Sequence, residues 1–99
     1  MQQPETKFKN KVRKDLNTLP YCWFFKAQEV SVRGIPDFIC CIRGLFIALE
    51  LKRDKKAKAD PLQEYIISQI QGAWGTAWVV SPENWPEVFK RLQLMAQQA

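Results

Sequence analysis

The chain has 99 residues, of which 46% are apolar, and a formal net charge of +5. A sequence this short with this composition predicts one globular domain, residues 1–99, with a single core. The absence of histidine excludes Ser-His-Asp and Cys-His hydrolases, histidine-coordinated zinc sites and nucleases with a histidine general base.

A first helix is predicted from Pro4 to about Asn17, because proline suits a first helical turn and one apolar stripe follows. The residues of that stripe are Phe8, Val12, Leu16 and Leu19. Pro20 ends the helix, and the aromatic-rich segment 21–26 predicts the first strand. Residues 27–34 form a polar link.

Two further strands, Phe38–Ile42 and Leu45–Leu51, are predicted to form a hairpin joined at Arg43-Gly44. A charged loop from Lys52 to Asp60 follows it. The loop leads into a second helix with Asp60 as its cap and Pro61 in its first turn. We expect this helix to bury a stripe that consists of Leu62, Ile66, Ile70 and Ala73.

Residues 76–80 form a fourth predicted strand, and Ser81-Pro82 opens a last helix. The expected apolar stripe of that helix is Trp85, Phe89, Leu92 and Met95/Ala96. The order α-β-β-β-α-β-α allows one parallel crossover beside the antiparallel hairpin. The fold class is therefore α/β, with a mixed four-stranded sheet covered by helices on both faces.

The hairpin brings two carboxylates and a lysine together. If Arg43-Gly44 is a two-residue loop, Asp37 faces Glu50 with β-carbons ~4.5–5.5 Å apart. Lys52 lies two residues beyond Glu50 and projects from the same face. A loop longer by one residue would shift this pairing.

Side-by-side carboxylates repel each other, and a divalent cation between them removes that repulsion. Magnesium prefers hard oxygen ligands, so Asp37, Glu50, a backbone carbonyl and waters would suit it. The alternative is a buried ion pair between Lys52 and Glu50 that has only a structural role.

These residues match a known pattern. Ile35-Pro36-Asp37 followed by Glu50-Leu51-Lys52 resembles the PD-(D/E)xK motif of restriction-type nucleases and archaeal Holliday-junction resolvases. With Gly34, the strand 47–52 and Pro61-Leu62-Gln63, the chain is more similar to the VRR-NUC branch, which includes short stand-alone proteins, many of them from phages. The resemblance covers about Pro4 to Val80 and implies a restriction-endonuclease-like core.

The resemblance also implies roles for individual residues. Asp37 and Glu50 would be metal ligands with the carbonyl of Leu51, and Lys52 would orient the attacking water and offset charge on the phosphate. Family members carry a glutamate on the first helix, and Glu5 is the candidate here. Its alternative role is that of a favourable acid in a first helical turn.

Gln63 has two interpretations. The resemblance implies that it faces the site, whereas Asp60-Pro61-Leu62-Gln63 fits a capping box, in which Gln63 bonds back to the cap.

The positive charge lies in the first part of the chain, where residues 1–58 hold thirteen Lys/Arg against six Asp/Glu. Such a basic half indicates a polyanionic partner, although a solvated surface explains it equally well. The residues that flank the site and would contact DNA phosphates are Arg33, Arg53, Lys55, Lys56 and Lys58.

The predicted function is a metal-dependent endodeoxyribonuclease with Mg²⁺, or Mn²⁺ in its place, and without an organic cofactor. The resemblance suggests branched DNA such as four-way junctions. The alternative is a nucleic-acid-binding adaptor on the same fold that does not cleave.

The cellular setting follows from absences in the sequence. The N-terminus lacks the apolar core of a signal peptide, and no apolar run reaches the length of a membrane span. The three cysteines have neither CxxC nor Cys/His spacing. We therefore expect a cytoplasmic protein, in a bacterium or a phage-infected cell, with free cysteines and no membrane partner.

A homodimer is predicted as well, because a twofold enzyme suits a junction with two strands to cut. Trp74, Trp78 and Trp85 lie in the half of the chain with little positive charge, and interfaces are enriched in aromatic residues. The alternative is that these side chains fill the monomer core.

Overall fold

The computed structural model describes residues 3–27 and 32–97, and its elements follow the predicted order. Their bounds are α1 Pro4–Leu16, β1 Cys22–Lys26, β2 Phe38–Ile42, β3 Leu45–Leu51, α2 Pro61–Gly72, β4 Thr76–Val80 and α3 Trp85–Gln97. The α3 helix begins later than predicted, because Ser81–Asn84 first forms a turn in which the Ser81 amide donates to Asn84 Oδ1 at 2.7 Å.

The sheet has the strand order β1-β2-β3-β4. The first two pairs are antiparallel and β3 pairs with β4 in parallel, as the crossover through α2 predicts. Arg43 and Gly44 have φ angles of 49° and 84°, which is typical of a two-residue type I′ hairpin loop. The loop therefore has the predicted length, and Ile42 pairs with Leu45.

One face of the sheet carries the core. Helices α1 and α3 pack on it, and the predicted α1 stripe is buried throughout. On α3, Trp85, Leu92 and Ala96 are buried, while Phe89 and Met95 pack partly against the core. The Trp85 indole N–H donates to Asp15 Oδ2 at 2.8 Å, which joins α3 to α1 through a specific hydrogen bond.

The other face is only partly covered. Helix α2 contacts β4, whereas Trp23 and Phe46 on this face remain 65% and 46% exposed. The predicted buried stripe of α2 was wrong in part: Ile66 and Ile70 are half-buried, but Leu62 and Ala73 are exposed. Helix α2 contacts β4, at one edge of the sheet, and the two ends of its predicted stripe are left uncovered.

The cysteines are free, as predicted. Cys40 is buried in the core, and its neighbour Cys41 is exposed on the opposite face. In the described part of the chain, no helix is both long and apolar enough to cross a bilayer.

Candidate active site

The β2–β3 pairing brings Asp37 and Glu50 to the same end of the hairpin. Phe38 pairs with Leu49, so one step outward Asp37 lies across from Glu50, in the predicted register. The Leu51 backbone N–H donates to Asp37 Oδ2 at 2.8 Å, and the Ala27 N–H donates to the Asp37 carbonyl oxygen at 2.8 Å. Asp37 is thereby held by both neighbouring strands.

Glu50 is a buried charged group in an otherwise apolar strand, with only 3% of its surface exposed. Burial and the nearby carboxylate of Asp37 raise the pKa of Glu50 to about 7, although the ammonium of Lys52 acts in the opposite direction. The lysine therefore does not fully compensate the two carboxylates. A buried carboxyl whose pKa is raised by burial and by a neighbouring acid is more typical of functional sites than of structural ones.

Lys52 is fixed by two acceptors. Its Nζ lies 3.2 Å from Glu50 Oε2, so the ion pair considered from sequence does form, and it donates to Gln63 Oε1 at 2.9 Å. An ammonium group has three donors, which leaves one for a ligand.

Gln63 forms the predicted capping box, and its side chain also contacts Lys52. The capping box is present, because the backbone N–H of Gln63 donates to Asp60 Oδ1 and the backbone N–H of Asp60 donates to Gln63 Oε1, each at 2.9 Å. The same Oε1 accepts from Lys52. The cap of α2 therefore sets the position of the amide oxygen that holds Lys52.

A cavity of about 200 Å³ opens at this end of the sheet. Its lining consists of Glu5, Phe8, Lys9, Asp37, Glu50, Leu51, Lys52 and Arg53. The first turn of α1 thus contributes Glu5 to the lining of this cavity.

A metal would meet oxygen donors here. Asp37, Glu50 and Leu51 all line one cavity, and the repulsion between the two carboxylates is what a divalent cation would remove. Within residues 3–27 and 32–97, no three acidic, histidine or cysteine side chains already form a metal-binding group. These few oxygen donors therefore fit a metal that keeps several of its bound waters. Glu5 lines the same cavity but does not complete a group of three protein ligands among the described residues.

The five predicted DNA-contacting residues are dispersed around the site. Arg53 lines the cavity, where it lies 3.6 Å from the Asp54 carboxylate. Arg33 lines a separate opening beside Asp60, and Lys55 lines another near β4. The remaining two, Lys56 and Lys58, are exposed on the same loop as Arg53.

The sequence interpretation missed Lys9, which lines the cavity one helical turn after Glu5. The signal was available, because residues four apart on a helix lie on the same face. A helix that presents Glu5 to a site also presents Lys9 to it.

A comparison with solved structures identifies the fold. A structure described as a VRR_NUC domain superposes with a TM-score of 0.74 and 19% sequence identity, and the match covers 98% of each chain. The chain has the fold of a VRR_NUC domain. This is a nuclease-type fold, and its hairpin is the element that carries Asp37, Glu50 and Lys52.

Sequence comparison alone does not find this likeness: no protein-family model matches the chain, and no curated protein matches it. The VRR_NUC fold was nevertheless predicted from Gly34-Ile35-Pro36-Asp37 and the segment 47–52. Gly34 has a φ of 84°, and a β-carbon there would lie 2.8 Å from Leu62 Cγ. The motif glycine is thus required both by its backbone conformation and by the close approach of α2.

Proposed function

We propose that the chain is a metal-dependent endodeoxyribonuclease that hydrolyses phosphodiester bonds of DNA. The observation that carries the proposal is the convergence of Asp37, Glu50 and a doubly held Lys52 on one cavity in a VRR_NUC fold. The net charge of +5 favours a polyanionic substrate.

Asp37, Glu50 and the Leu51 carbonyl are the proposed holders of Mg²⁺ or Mn²⁺, since all their donors are oxygens. A bound divalent metal supplies a Lewis acid that polarises the phosphate and makes water more acidic. Glu5 lines the same cavity, and its carboxylate would accept hydrogen bonds from water bound there.

Lys52 acts on the phosphate in this proposal. Glu50 and Gln63 occupy two of its donors and aim its ammonium group into the cavity, which leaves one N–H for a phosphate oxygen. Its charge offsets the negative charge that develops as water adds to phosphorus and the 3′-oxygen leaves. Because the ammonium is fixed in advance, little rearrangement accompanies the reaction.

The rival function is DNA binding without cleavage. Cleavage of labelled duplex, single-stranded, flap and four-way-junction DNA, in Mg²⁺ and in EDTA, separates the two and also tests the expected preference for branched DNA. We expect cleavage only with metal, and none by Asp37→Asn. Binding by the wild type with no cleavage of any substrate in Mg²⁺ or Mn²⁺ would establish the adaptor instead.

A further inference from the structure

Helix α1 and strand β1 bring three cations together beside the active site. Lys9 lines the site cavity, and Arg13 follows it one turn later on α1. Lys26, the last residue of β1, lies two residues after Phe24 and so projects from the face on which α1 packs. We call Lys9, Arg13 and Lys26 the α1–β1 basic cluster.

The members of this cluster repel one another. Contact with the Lys9 side chain lowers the pKa of Lys26, with smaller contributions from burial and from the charge of Arg13, while the Asp37 carboxylate acts in the opposite direction. Lys26 therefore lies near both Lys9 and the metal-binding carboxylate. The cluster adjoins the site and is not a remote surface patch.

No ion pair in the described part of the chain includes a member of this cluster. The ion pairs there join Lys11 to Asp15 at 3.1 Å, Lys52 to Glu50, and Arg53 to Asp54, and none involves the cluster. Lys11 forms an ion pair with Asp15 one turn later, whereas Lys9, which has Glu5 one turn before it, takes part in none of them. The charge of Asp37 acts on Lys26 but does not outweigh the effect of Lys9, and an anion between the cations would remove the remaining repulsion.

We propose that the α1–β1 basic cluster binds a phosphate of the DNA strand next to the phosphate that is cut. This inference rests on the proposed nuclease function and adds to it the path of the substrate. From the cavity, which Lys9 lines, the strand runs toward Lys26 at the end of β1. Arg53 and Lys9 both line the cavity, so the loop after β3 and helix α1 each contribute a cation there.

The test compares two double variants that each remove two positive charges and keep the aliphatic stems. Lys9→Met/Lys26→Met alters the cluster, and Lys14→Met/Lys90→Met alters exposed lysines of α1 and α3 as the matched control. Binding of a four-way junction and of a duplex is measured in EDTA over a range of NaCl concentrations, so that neither metal nor cleavage contributes.

We expect the cluster variant to bind roughly tenfold more weakly, as loss of charge-assisted hydrogen bonds predicts. The slope of log K against log salt should fall by roughly 1–2 for the cluster variant and much less for the control. Equal losses in the two variants would overturn the inference and leave the nuclease proposal in place.

Thermal melting of the free protein gives a second measurement. Lys26→Met should raise the melting temperature, since it removes repulsion from Lys9 and Arg13, whereas a lysine with a structural role would lower it. A lowered melting temperature therefore counts against the cluster.

The two proposals can fail separately. Binding that depends on the cluster without any cleavage would support the phosphate site and overturn the nuclease. Failure of the wild type to bind DNA even at low salt would overturn both.

Discussion

Glu50→Gln is expected to stabilise the metal-free protein at neutral and alkaline pH. Folding raises the pKa of this buried carboxyl from 4.5 to about 7, because burial and Asp37 both disfavour its charged form. The shift corresponds to destabilisation of the charged folded protein by about 3 kcal/mol. Glutamine retains the shape of the side chain and removes the charge.

The shift already includes the favourable charge of Lys52, so the loss of that ion pair is part of this figure. Part of the gain is offset, since the side-chain N–H groups of the glutamine are buried and need new acceptors. We expect a net gain of about 1–2 kcal/mol. For a domain of this size that gain raises the melting temperature by about 5–10 °C.

The sign of the pH dependence follows from the direction of the shift. Below pH 4.5 the carboxyl is protonated in both the folded and the unfolded chain, so the substitution has little effect on stability. Between pH 4.5 and about 7 the folded protein retains a proton that the unfolded chain releases, so the wild type loses stability as pH rises. The advantage of Glu50→Gln should therefore grow over this range and be constant above it.

The assay is thermal unfolding followed by circular dichroism in EDTA from pH 4 to pH 8.5, with the exposed Glu83→Gln as the matched control. Excess Mg²⁺ should raise the melting temperature of the wild type more than that of Glu50→Gln, because only the wild type retains both carboxylates. A variant that melts below the wild type at pH 8, or a difference that does not change with pH, would refute this account of Glu50.

Three further predictions concern the α2 cap, the metal and the oligomeric state. Gln63→Ala and Asp60→Ala should each cost about 1 kcal/mol through loss of the α2 cap, but only Gln63→Ala also releases Lys52, so it should reduce kcat more in single-turnover cleavage assays. Magnesium or manganese should activate cleavage, whereas calcium should bind, as a shift in melting temperature shows, with little or no turnover; full activity in EDTA would remove the metal from the mechanism. Sedimentation equilibrium at micromolar concentrations should show a homodimer, and a mass of 11.6 kDa at every concentration would contradict it.

The structure leaves fewer of the three tryptophans available to support the predicted dimer. Trp85 is buried in the monomer core and stacks on Phe89 with ring centroids 5.6 Å apart, so its assignment to an interface was wrong. Trp78 is half-buried, and the Arg91 guanidinium lies 5.9 Å from the centroid of its ring. Of the three tryptophans only Trp74, at 97% exposure, remains free to meet a second copy.

The sequence by itself determined the order of the elements and the pairing that forms the site. Period-two and helical patterns are local, and the Arg43-Gly44 loop fixes the hairpin register within a few residues of chain. Asp37 and Glu50 are thirteen residues apart on that hairpin, so their meeting could be predicted without knowledge of the rest of the fold. The predicted capping box likewise depends only on residues 60–63.

Tertiary structure decided what depends on packing between distant segments. Gln63 contacts Lys52 only because the loop 52–60 brings the first turn of α2 back to the end of β3, so no local pattern could choose between its two roles. Lys9 and Lys26 meet only because α1 packs across the end of β1. The exposure of Leu62 and the burial of Trp85 were settled in the same way, since an apolar stripe shows which side of a helix is apolar but not how much of it the rest of the molecule covers.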